Sequence, residues 1–374
     1  MITASHNPGS YNGFKISHGK DALFGSKIQE MLQLMQSQPE KLEIAADRGT
    51  VSTDTIIPEY LDYVTRDFIR EGGQLPFKGV RLVIDSGNGT AGLIAPELFK
   101  RLGAKVISLY EAPDGDFPNH HPDPSIEENL VALKAKVLDT GASLGLAFDG
   151  DGDRVGVVDE KGKKIPGDEV LTLISRHLLK SHPGAKILAE VKTSKRAFDD
   201  ISQHGGVPVM YKTGASLQKP YVTANGILLA AETTGHIIFN DARWLGFDDG
   251  IYAGARIIEI KVKNPNTPMS RLGGLPPAVS SPDTSIPALD SIKFKLVDET
   301  RKILNAKGYP VNNMDGIRID LADGWGLLRA SNTEPKLTTC FEASTQAQME
   351  KIRRIFLDAL NQAERKIQTG NVRF

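Results

Sequence analysis

Residues 149–154, Asp-Gly-Asp-Gly-Asp-Arg, constrain this chain more than any other segment. An apolar run over residues 143–148 leads into them, and a second apolar run over residues 155–158 leads out. Because glycine permits tight turns with positive φ, the carboxylates of Asp149, Asp151 and Asp153 can converge on one point. Such a concentration of negative charge requires a cation, and oxygen-only ligands suit a hard divalent ion, Mg²⁺ or Ca²⁺. The segment therefore predicts a metal loop between two strands.

Two other interpretations of this loop need to be weighed. A calcium-binding EF-hand loop would use Asp at positions 1, 3 and 5 and Glu160 at position 12, but Arg154 stands where that loop needs glycine and the flanks predict strands. An acidic hairpin turn without a metal is the structural alternative. Arg154 favours Mg²⁺ with an anionic ligand, because a planar guanidinium matches the oxygens of a phosphate.

The composition excludes several classes of protein. The 374 residues carry a formal net charge of −1, which gives no global basic footprint for nucleic acid. Cys340 is the only cysteine, so the chain forms no intrachain disulfide, and a reducing cytoplasm is the expected compartment. No apolar run approaches the ~18 residues that a membrane span needs, and no signal peptide is recognisable. The sequence leaves the oligomeric state open.

The rhythm of apolar runs, turns and helical patterns predicts an α/β chain of several domains. Strand, turn, helix and strand follow one another in two β-α-β units, over residues 79–110 and 186–211. We expect mixed sheets covered by helices in the first three domains and a C-terminal α+β domain. Changes in composition place the domains at residues 1–55, 56–163, 164–275 and 276–374, with a polar linker over 36–55 and a proline-rich linker over 264–287.

Three local patterns carry alternatives of their own. The glycines at 87, 89 and 92 have the spacing of a dinucleotide-binding fingerprint, but a structural turn is the favoured interpretation. Ser125 and Glu128 predict a capping box at the start of a helix, and Thr345 with Gln348 predicts another before the last helix. The pair His120 and His121 could ligate a metal, although a loop role is favoured because adjacent side chains need not converge.

Further polar residues fall where ligands usually bind. Lys192 ends a strand, and Glu232 begins a glycine-containing loop that ends at His236. The loop 329–334 offers arginine, hydroxyl and amide donors to a phosphate dianion. Together with Ser5, His6 and Lys15 near the start, these residues predict phosphoryl transfer to a phosphorylated polyol in an interdomain cleft.

The chain resembles the α-D-phosphohexomutases, and most of all their bacterial phosphomannomutase/phosphoglucomutase branch. The resemblance covers essentially the whole chain and depends on ordered motifs: residues 3–8 (Thr-Ala-Ser-His-Asn-Pro), 149–154, 232–236 (Glu-Thr-Thr-Gly-His), 246–250 (Gly-Phe-Asp-Asp-Gly), 324–326 (Gly-Trp-Gly) and 329–333 (Arg-Ala-Ser-Asn-Thr).

The resemblance implies an activity and a role for each matched residue. It implies interconversion of the 1- and 6-phosphates of mannose or glucose, through a phosphoserine and a bound hexose 1,6-bisphosphate that also serves as activator. Ser5 would be the phosphoserine and would hold Mg²⁺ together with Asp149, Asp151 and Asp153. His6, Lys15 and Arg154 would assist the transfer. The substrate-binding residues would be Lys192, Glu232, Thr234, His236, Arg329, Ser331, Asn332 and Thr333.

Three departures from the family pattern shape the alternatives. Family members carry most of a first domain before the serine loop, so residues 1–55 would be a remnant of the phosphoserine domain. Ala215 stands where the family has a histidine, and the loss of an imidazole from a site often costs roughly 10²–10⁴ in rate. Ala231 and Thr234 replace a glycine and a serine. The alternatives are an impaired fragment that binds phosphosugar and Mg²⁺, and a phosphoglucosamine mutase.

Overall fold

A computed structural model describes residues 1–19, 21–37, 49–69, 74–281, 284–331 and 335–369. The chain divides into two compact units, residues 1–177 with 214–273 and residues 178–213 with 274–374. Among the described residues, no helix combines the length and the apolar character that a membrane crossing requires. The predicted fold class, α/β with mixed sheets and a C-terminal α+β region, is confirmed. The predicted four-domain division stays a prediction.

The first unit begins with short elements and a helix that buries none of its side chains. The elements up to residue 148 are β1 (Ser17–His18), β2 (Asp21–Ala22), α1 (Ser26–Ser37), α2 (Ile57–Phe68), β3 (Arg81–Asp85), α3 (Ala95–Arg101), β4 (Lys105–Leu109), α4 (Val131–Thr140) and β5 (Leu144–Phe148). The predicted linker over residues 36–55 lies largely outside the described residues. Helix α1 carries apolar residues that remain exposed, among them Leu32 and Met35.

The rest of the chain alternates strands and helices. The elements are β6 (Val155–Asp159), β7 (Lys164–Ile165), α5 (Gly167–Leu179), β8 (Lys186–Glu190), α6 (Lys195–Gln203), β9 (Val207–Tyr211), α7 (Ala215–Ala224), β10 (Leu229–Ala231), β11 (Ile237–Phe239), α8 (Gly250–Lys263), β12 (Val279–Ser280), β13 (Thr284–Pro287), α9 (Lys293–Ala306), β14 (Val311–Asn312), β15 (Ile317–Leu321), β16 (Gly324–Ala330), β17 (Lys336–Ala343) and α10 (Gln346–Thr369).

A five-stranded sheet in the first unit carries the predicted metal loop. Its strand order is β4-β3-β5-β6-β7, with β3 parallel to β4 and β5, and with β6 antiparallel to β5. Helix α4 packs Leu133 and Val137 against Val83 on one side of the sheet. Helix α8 approaches β5 at Gly254, where an added Cβ would lie 2.8 Å from Leu146 Cδ1. The buried runs on β5 and β6 therefore fix both ends of the loop between them.

The second unit contains a parallel pair and an antiparallel sheet. Strands β8 and β9 pair in parallel around α6, as the predicted β-α-β unit requires. The C-terminal sheet has the order β12-β17-β16-β15-β14, and β13 also pairs with β17. Helices α9 and α10 pack on this sheet, where Leu304, Phe341 and Phe356 share one apolar core.

Two local predictions differ from the structure, and a third agrees with it. Ser125 caps no helix: its hydroxyl donates to Asp123 Oδ1 at 2.7 Å, and α4 begins only after a 3-10 turn at Glu127–Leu130. The proline-rich segment predicted as a linker contributes the strands β12 and β13 to the C-terminal sheet. The cap at Thr345 is present, because its Oγ1 accepts the backbone N–H of Gln348 at 3.3 Å.

Candidate active site

The three aspartates of the metal loop lie together at the turn between β5 and β6. One carboxylate oxygen from each of Asp149, Asp151 and Asp153 lies within 4.8 Å of the others. Gly152 takes a positive φ of 77°, which a side chain would disfavour and which allows the loop to fold back on itself. The convergence expected from the sequence is therefore what the backbone produces.

Two oxygen atoms of this cluster have an environment that fits a cation. The buried Oδ1 atoms of Asp151 and Asp153 accept no hydrogen bond from any residue that the structure describes. A buried acceptor without a donor is costly, and a hard divalent ion would satisfy both atoms. The oxygen-only donor set therefore fits Mg²⁺, the ion that the sequence predicts.

The serine loop lies directly against the metal loop. Ser5 Oγ donates to Asp149 Oδ2 at 3.0 Å and lies 3.0 Å from Nδ1 of His6. Ser5 itself takes a left-handed φ of 53°, an uncommon conformation for serine and one often found at functional sites. Thr3, for which the sequence predicted no role, donates from its hydroxyl to Asp151 Oδ2 at 3.0 Å. These contacts place the hydroxyl of Ser5 at the edge of the aspartate cluster.

Lys15 brings a positive charge to two of the three aspartates. Its Nζ lies 2.9 Å from Asp151 Oδ2 and 2.8 Å from Asp153 Oδ2. Burial lowers the pKa of Lys15, but the two carboxylates outweigh burial and raise that pKa well above its ordinary value. Burial raises the pKa of Asp151, and the hydrogen bond and charge of Lys15 reverse that effect and hold it low.

Arg154 joins the loop to its surroundings through a buried guanidinium. Its Nε lies 2.8 Å from Asp149 Oδ2, its Nη1 lies 3.2 Å from Asp123 Oδ1, and its Nη2 contacts His6 Nδ1. Burial and the charge of Arg154 lower the pKa of His6. Both effects favour the neutral form of the imidazole, whose Nδ1 lies 3.0 Å from Ser5 Oγ.

Asp149 differs electrostatically from the other two aspartates. It is fully buried, and burial with the repulsion of Asp153 raises its pKa to about 7 although Arg154 opposes the shift. A bound cation would remove the penalty of keeping this carboxylate ionised, because it compensates both burial and repulsion. The electrostatics of Asp149 therefore agree with a cation at the loop.

His236 lies beside the metal loop. Its Nδ1 is 2.9 Å from Asp248 Oδ2 and 3.7 Å from Asp153 Oδ1. Burial lowers its pKa, but the hydrogen bond to Asp248 and the charge of Asp153 raise it to about 9. A protonated His236 is a cation next to Asp153. The proposed substrate role of His236 stays a prediction, and its observed partners are two aspartates.

The loop predicted to contact sugar hydroxyls is anchored at Glu232. Glu232 Oε1 accepts hydrogen bonds from Gly214 N at 2.6 Å and from Gln218 Nε2 at 2.9 Å. The Thr234 hydroxyl lies 3.4 Å from Glu232 Oε2. Ala215, which replaces the family histidine, is the first residue of α7 and follows Gly214 directly. Ala215 therefore follows directly the residue whose N–H group holds Glu232.

The predicted phosphate-binding residues belong to the second unit. Lys192 lies in the turn after β8, and Arg329 Nη2 pairs with Asp315 at 3.2 Å near the end of β16. Arg329 Nε is buried and makes no hydrogen bond to the described part of the chain. The N–H of Ser331 donates to Lys336 O at 3.0 Å and so closes the loop at its base. Asn332 and Thr333 lie outside the described residues.

The histidine pair separates into two environments. His120 Nε2 lies 3.1 Å from both carboxylate oxygens of buried Asp85. His121 packs edge-on against His6, with ring centroids 5.2 Å apart. His6, His121 and Asp123 bring one ligand atom each within 4.8 Å, but the guanidinium of Arg154 already pairs with the same Asp123 and disfavours a second cation.

The glycine-rich turn at residues 86–92 supports its neighbours. A Cβ at Gly89 would lie 2.9 Å from Asp149 O, and one at Gly92 would overlap the carbonyl of Glu111. These glycines make close backbone contacts, which agrees with the structural interpretation that the sequence favoured.

Asp123 and Asp248 also contribute to the site and were not predicted from the sequence. Both lie in segments that the sequence analysis singled out for their neighbours, the histidine pair and the Gly-Phe-Asp-Asp-Gly motif.

The chain is similar to known proteins over most of its length. Three family models match, for phosphoglucomutase/phosphomannomutase α/β/α domain II over residues 58–162, α/β/α domain III over 166–278 and the C-terminal domain over 290–359. A phosphomannomutase/phosphoglucomutase of Pseudomonas syringae pv. tomato is 43% identical over 95% of this chain and 74% of its own length.

Two more similar proteins extend the comparison. A phosphoglucomutase of Neisseria gonorrhoeae is 41% identical over 95% of this chain and 76% of its own length. The crystal structure of a phosphoglucomutase/phosphomannomutase family protein from Burkholderia thailandensis has a TM-score of 0.87 at 38% identity. It covers 97% of this chain and 76% of that one.

Proposed function

The chain belongs to the α-D-phosphohexomutase family, and from this premise we propose that it interconverts hexose 1-phosphate and hexose 6-phosphate. The proposed sugars are mannose and glucose, and the proposed route passes through a phosphoserine at Ser5 and a bound hexose 1,6-bisphosphate. The single observation that carries the proposal is the contact of Ser5 Oγ with Asp149 Oδ2 at 3.0 Å. It joins a hydroxyl that can carry a phosphoryl group to a cluster of carboxylates that fits a divalent cation.

The chemistry follows from the charges around that hydroxyl. Asp149, Asp151, Asp153 and a phosphate oxygen on Ser5 would hold Mg²⁺. The bound ion would neutralise negative charge on the transferring phosphoryl group. Lys15 and Arg154 hold positive charges against the aspartate cluster that Ser5 contacts, and preorganised charge of this kind accounts for much of phosphoryl-transfer catalysis.

His6 would accept and return the proton of the Ser5 hydroxyl. When the phosphoryl group leaves Ser5, the bond from phosphorus to Oγ breaks and the serine oxygen needs a proton. The neutral imidazole of His6, 3.0 Å from Oγ, takes that proton when the serine is phosphorylated and a protonated His6 returns it afterwards. A bond forms at the same time between phosphorus and a hydroxyl oxygen of the hexose phosphate, and that hydroxyl releases its proton to solvent while the serine oxygen gains one from His6.

Substrate recognition is assigned to two groups of residues. Glu232 and Thr234 would orient sugar hydroxyls, because a held carboxylate is a strong acceptor for them. Basic and hydroxyl residues of the second unit would bind the phosphate that does not react: Lys192, Arg329, Ser331, Asn332 and Thr333. The intermediate would be a bisphosphate because Ser5 would give its phosphoryl group to a hexose that already carries a phosphate, and such a molecule could bind in either direction.

Mannose and glucose phosphates are preferred over glucosamine phosphate in this proposal. The relatives that are 41–43% identical to this chain carry the names phosphomannomutase/phosphoglucomutase and phosphoglucomutase. A phosphoglucosamine mutase remains the alternative within the same class, and an impaired phosphosugar-binding protein is the alternative outside it. Ala215, which stands in place of the family histidine, is one of the departures behind the alternative outside the class.

One set of assays separates these alternatives. Purified protein is incubated with mannose 1-phosphate, glucose 1-phosphate or glucosamine 1-phosphate, in the presence of Mg²⁺ and catalytic glucose 1,6-bisphosphate. We expect 6-phosphate from the first two substrates, and intact mass should show one phosphate on the wild type and none on Ser5→Ala. Binding of substrate without any turnover would favour the impaired protein, and turnover of glucosamine 1-phosphate alone would favour the other mutase.

A further inference from the structure

The two glycine carbonyls of the metal loop are held from outside the loop. Gly150 O accepts the N–H of Thr90 at 2.9 Å and the Thr90 hydroxyl at 3.2 Å. Gly152 O accepts the N–H of Gly250 at 3.0 Å. Each of the two glycine carbonyls between the aspartates is therefore held by a donor of its own.

Both donors stand at the start of a helix. Thr90 begins a 3-10 turn, Thr90–Leu93, and Gly250 begins α8. The first N–H groups of a helix have no acceptor within the helix, so they are free to bond elsewhere. Here they are used to hold the loop, and each ties a carbonyl to a rigid element.

Close packing makes the second contact sensitive to any side chain. A Cβ at Gly250 would lie 2.5 Å from Arg154 O and 2.9 Å from Gly152 O. Both neighbours are backbone atoms, which cannot rotate away as a side chain would. Gly89 meets the loop in the same manner from the side of Thr90, with a Cβ 2.8 Å from Gly150 O.

The start of α8 is itself held in place. Asp249 caps the helix, because its Oδ1 accepts the N–H of Tyr252 at 2.8 Å. The hydroxyl of Tyr60 donates to Asp249 Oδ2 at 2.9 Å and links the cap to α2. The Gly250 N–H is therefore aimed by a fixed cap and is not free to follow a displaced loop.

The position of Gly150 also sets the serine loop. A Cβ at Gly150 would overlap the carbonyl of Ser5, so the two backbones are in direct contact. A shift of Gly150 away from Thr90 would move Ser5 relative to Asp149. The same contact therefore governs the aspartate cluster and the proposed phosphoserine.

We propose that the backbone N–H groups of Thr90 and Gly250, together with the hydroxyl of Thr90, form a cradle that positions the three aspartates for a divalent cation. The inference rests on the proposed function, because it takes residues 149–153 as the metal site. In the cradle both glycine carbonyls turn toward Thr90 and Gly250, which leaves the three carboxylates on a common side. Thr90 and Gly250 are positioning residues, because their N–H groups bond to the glycine carbonyls of the loop and not to its carboxylates.

The experiment compares Gly250→Ala with Gly254→Ala in the same helix. At Gly254 the new methyl would meet only side-chain atoms, Leu146 Cδ1 at 2.8 Å, Phe99 Cζ at 3.4 Å and Phe148 Cζ at 3.7 Å, and no backbone atom of residues 149–154. Mn²⁺ serves as the probe, and its Kd for each metal-free protein is measured by electron paramagnetic resonance. The Tm of each variant is measured without metal.

The expected result is a split between metal affinity and stability. Loss of an outer contact to a metal site often costs about tenfold or more in metal affinity, so Gly250→Ala should raise the Kd for Mn²⁺ at least about tenfold. Gly254→Ala should lower the Tm and leave that Kd unchanged. Equal effects of the two variants on the Kd, or a Gly250→Ala protein within about twofold of the wild type, would overturn the cradle.

A second variant keeps the test informative if Gly250→Ala does not fold. Thr90→Val removes the hydroxyl bond to Gly150 O and keeps the N–H bond, and it should raise the Kd for Mn²⁺ about threefold, while Thr90→Ser restores it. No change in Thr90→Val would contradict the inference. A wild type that binds no Mn²⁺ would instead refute the metal site of the proposed function, which distinguishes the two failures.

Discussion

Replacement of Arg318 by methionine should loosen the turn that carries Lys192. Arg318 is 1% exposed, and its Nη1 donates to Val191 O at 2.6 Å and to Thr193 O at 2.7 Å. These carbonyls flank Lys192 on both sides. The guanidinium also lies 4.2 Å from the ring centroid of Trp325 and pairs with Asp320 at 2.8 Å. Methionine keeps an apolar stem against the indole but provides no donor.

The contacts set the expected size of the effect. A hydrogen bond that involves a charged group contributes about 1.5–3 kcal/mol, so loss of the two carbonyl bonds removes about 3–6 kcal/mol. Asp320 is 33% exposed, so water can hydrate it after the change and little is added. We expect Arg318→Met to lower the free energy of unfolding of this region by about 3–5 kcal/mol. The KM for hexose phosphate should rise about tenfold, with a smaller change in kcat.

The assay uses the tryptophan in the same cluster. In a Trp244→Phe background, Trp325 is the only remaining tryptophan, and its fluorescence reports urea unfolding of the C-terminal sheet. Asp320→Asn is the matched control, because it weakens the ion pair and keeps both bonds to the carbonyls of Val191 and Thr193. A loss of less than about 1 kcal/mol in Arg318→Met, or equal KM values in the two variants, would refute the reasoning.

Three further predictions follow from single contacts. Lys15→Gln should tighten Mn²⁺ binding, because Asp151 and Asp153 lose a competing cation, while turnover falls about a hundredfold; unchanged Mn²⁺ affinity by paramagnetic resonance would contradict this. The hydrogen bond to Asp85 raises the pKa of His120, so the stability that this bond contributes is present below about pH 6.5 and is lost at higher pH. The urea midpoints of wild type and His120→Gln should therefore converge as the pH rises. A difference between the midpoints that stays constant with pH would contradict this prediction. Ala215→His should increase kcat at least about tenfold, and a lower kcat would show that the methyl group is needed there.

Short-range patterns accounted for much of the fold and for the centre of the site. The apolar runs on both sides of residues 149–154 form β5 and β6, because an uninterrupted apolar run is what a strand buried on both faces requires. The three aspartates converge because the two glycines between them allow the turn, a property that depends on residues within the loop. The cap at Thr345 succeeds for the same reason, since donor and acceptor are three residues apart.

Long-range competition decided the predictions that failed or were missed. Ser125 had the correct spacing for a cap, but Asp123 accepts its hydroxyl and its N–H, and this contact starts a different turn. The sequence offered no sign that Asp123 would also accept Arg154. The proline-rich segment was predicted as a linker because proline breaks central strands, yet β13 lies at an edge position where a missing N–H is tolerated.

The cradle shows why the supporting residues of a site are harder to predict than its ligands. Three alternating aspartates indicate a metal because carboxylates are chemically distinctive, and the sequence shows directly which residues carry them. Thr90 and Gly250 act through backbone N–H groups, which nearly all residues possess, and only the folded chain decides which amides meet the loop. Their sole trace in the sequence is glycine at positions where a Cβ would collide, as at Gly250 against Arg154 O. A glycine at the first position of a helix, close to a charged motif in the structure, therefore indicates a contact between backbones, and substitution by alanine is the most direct test of its role.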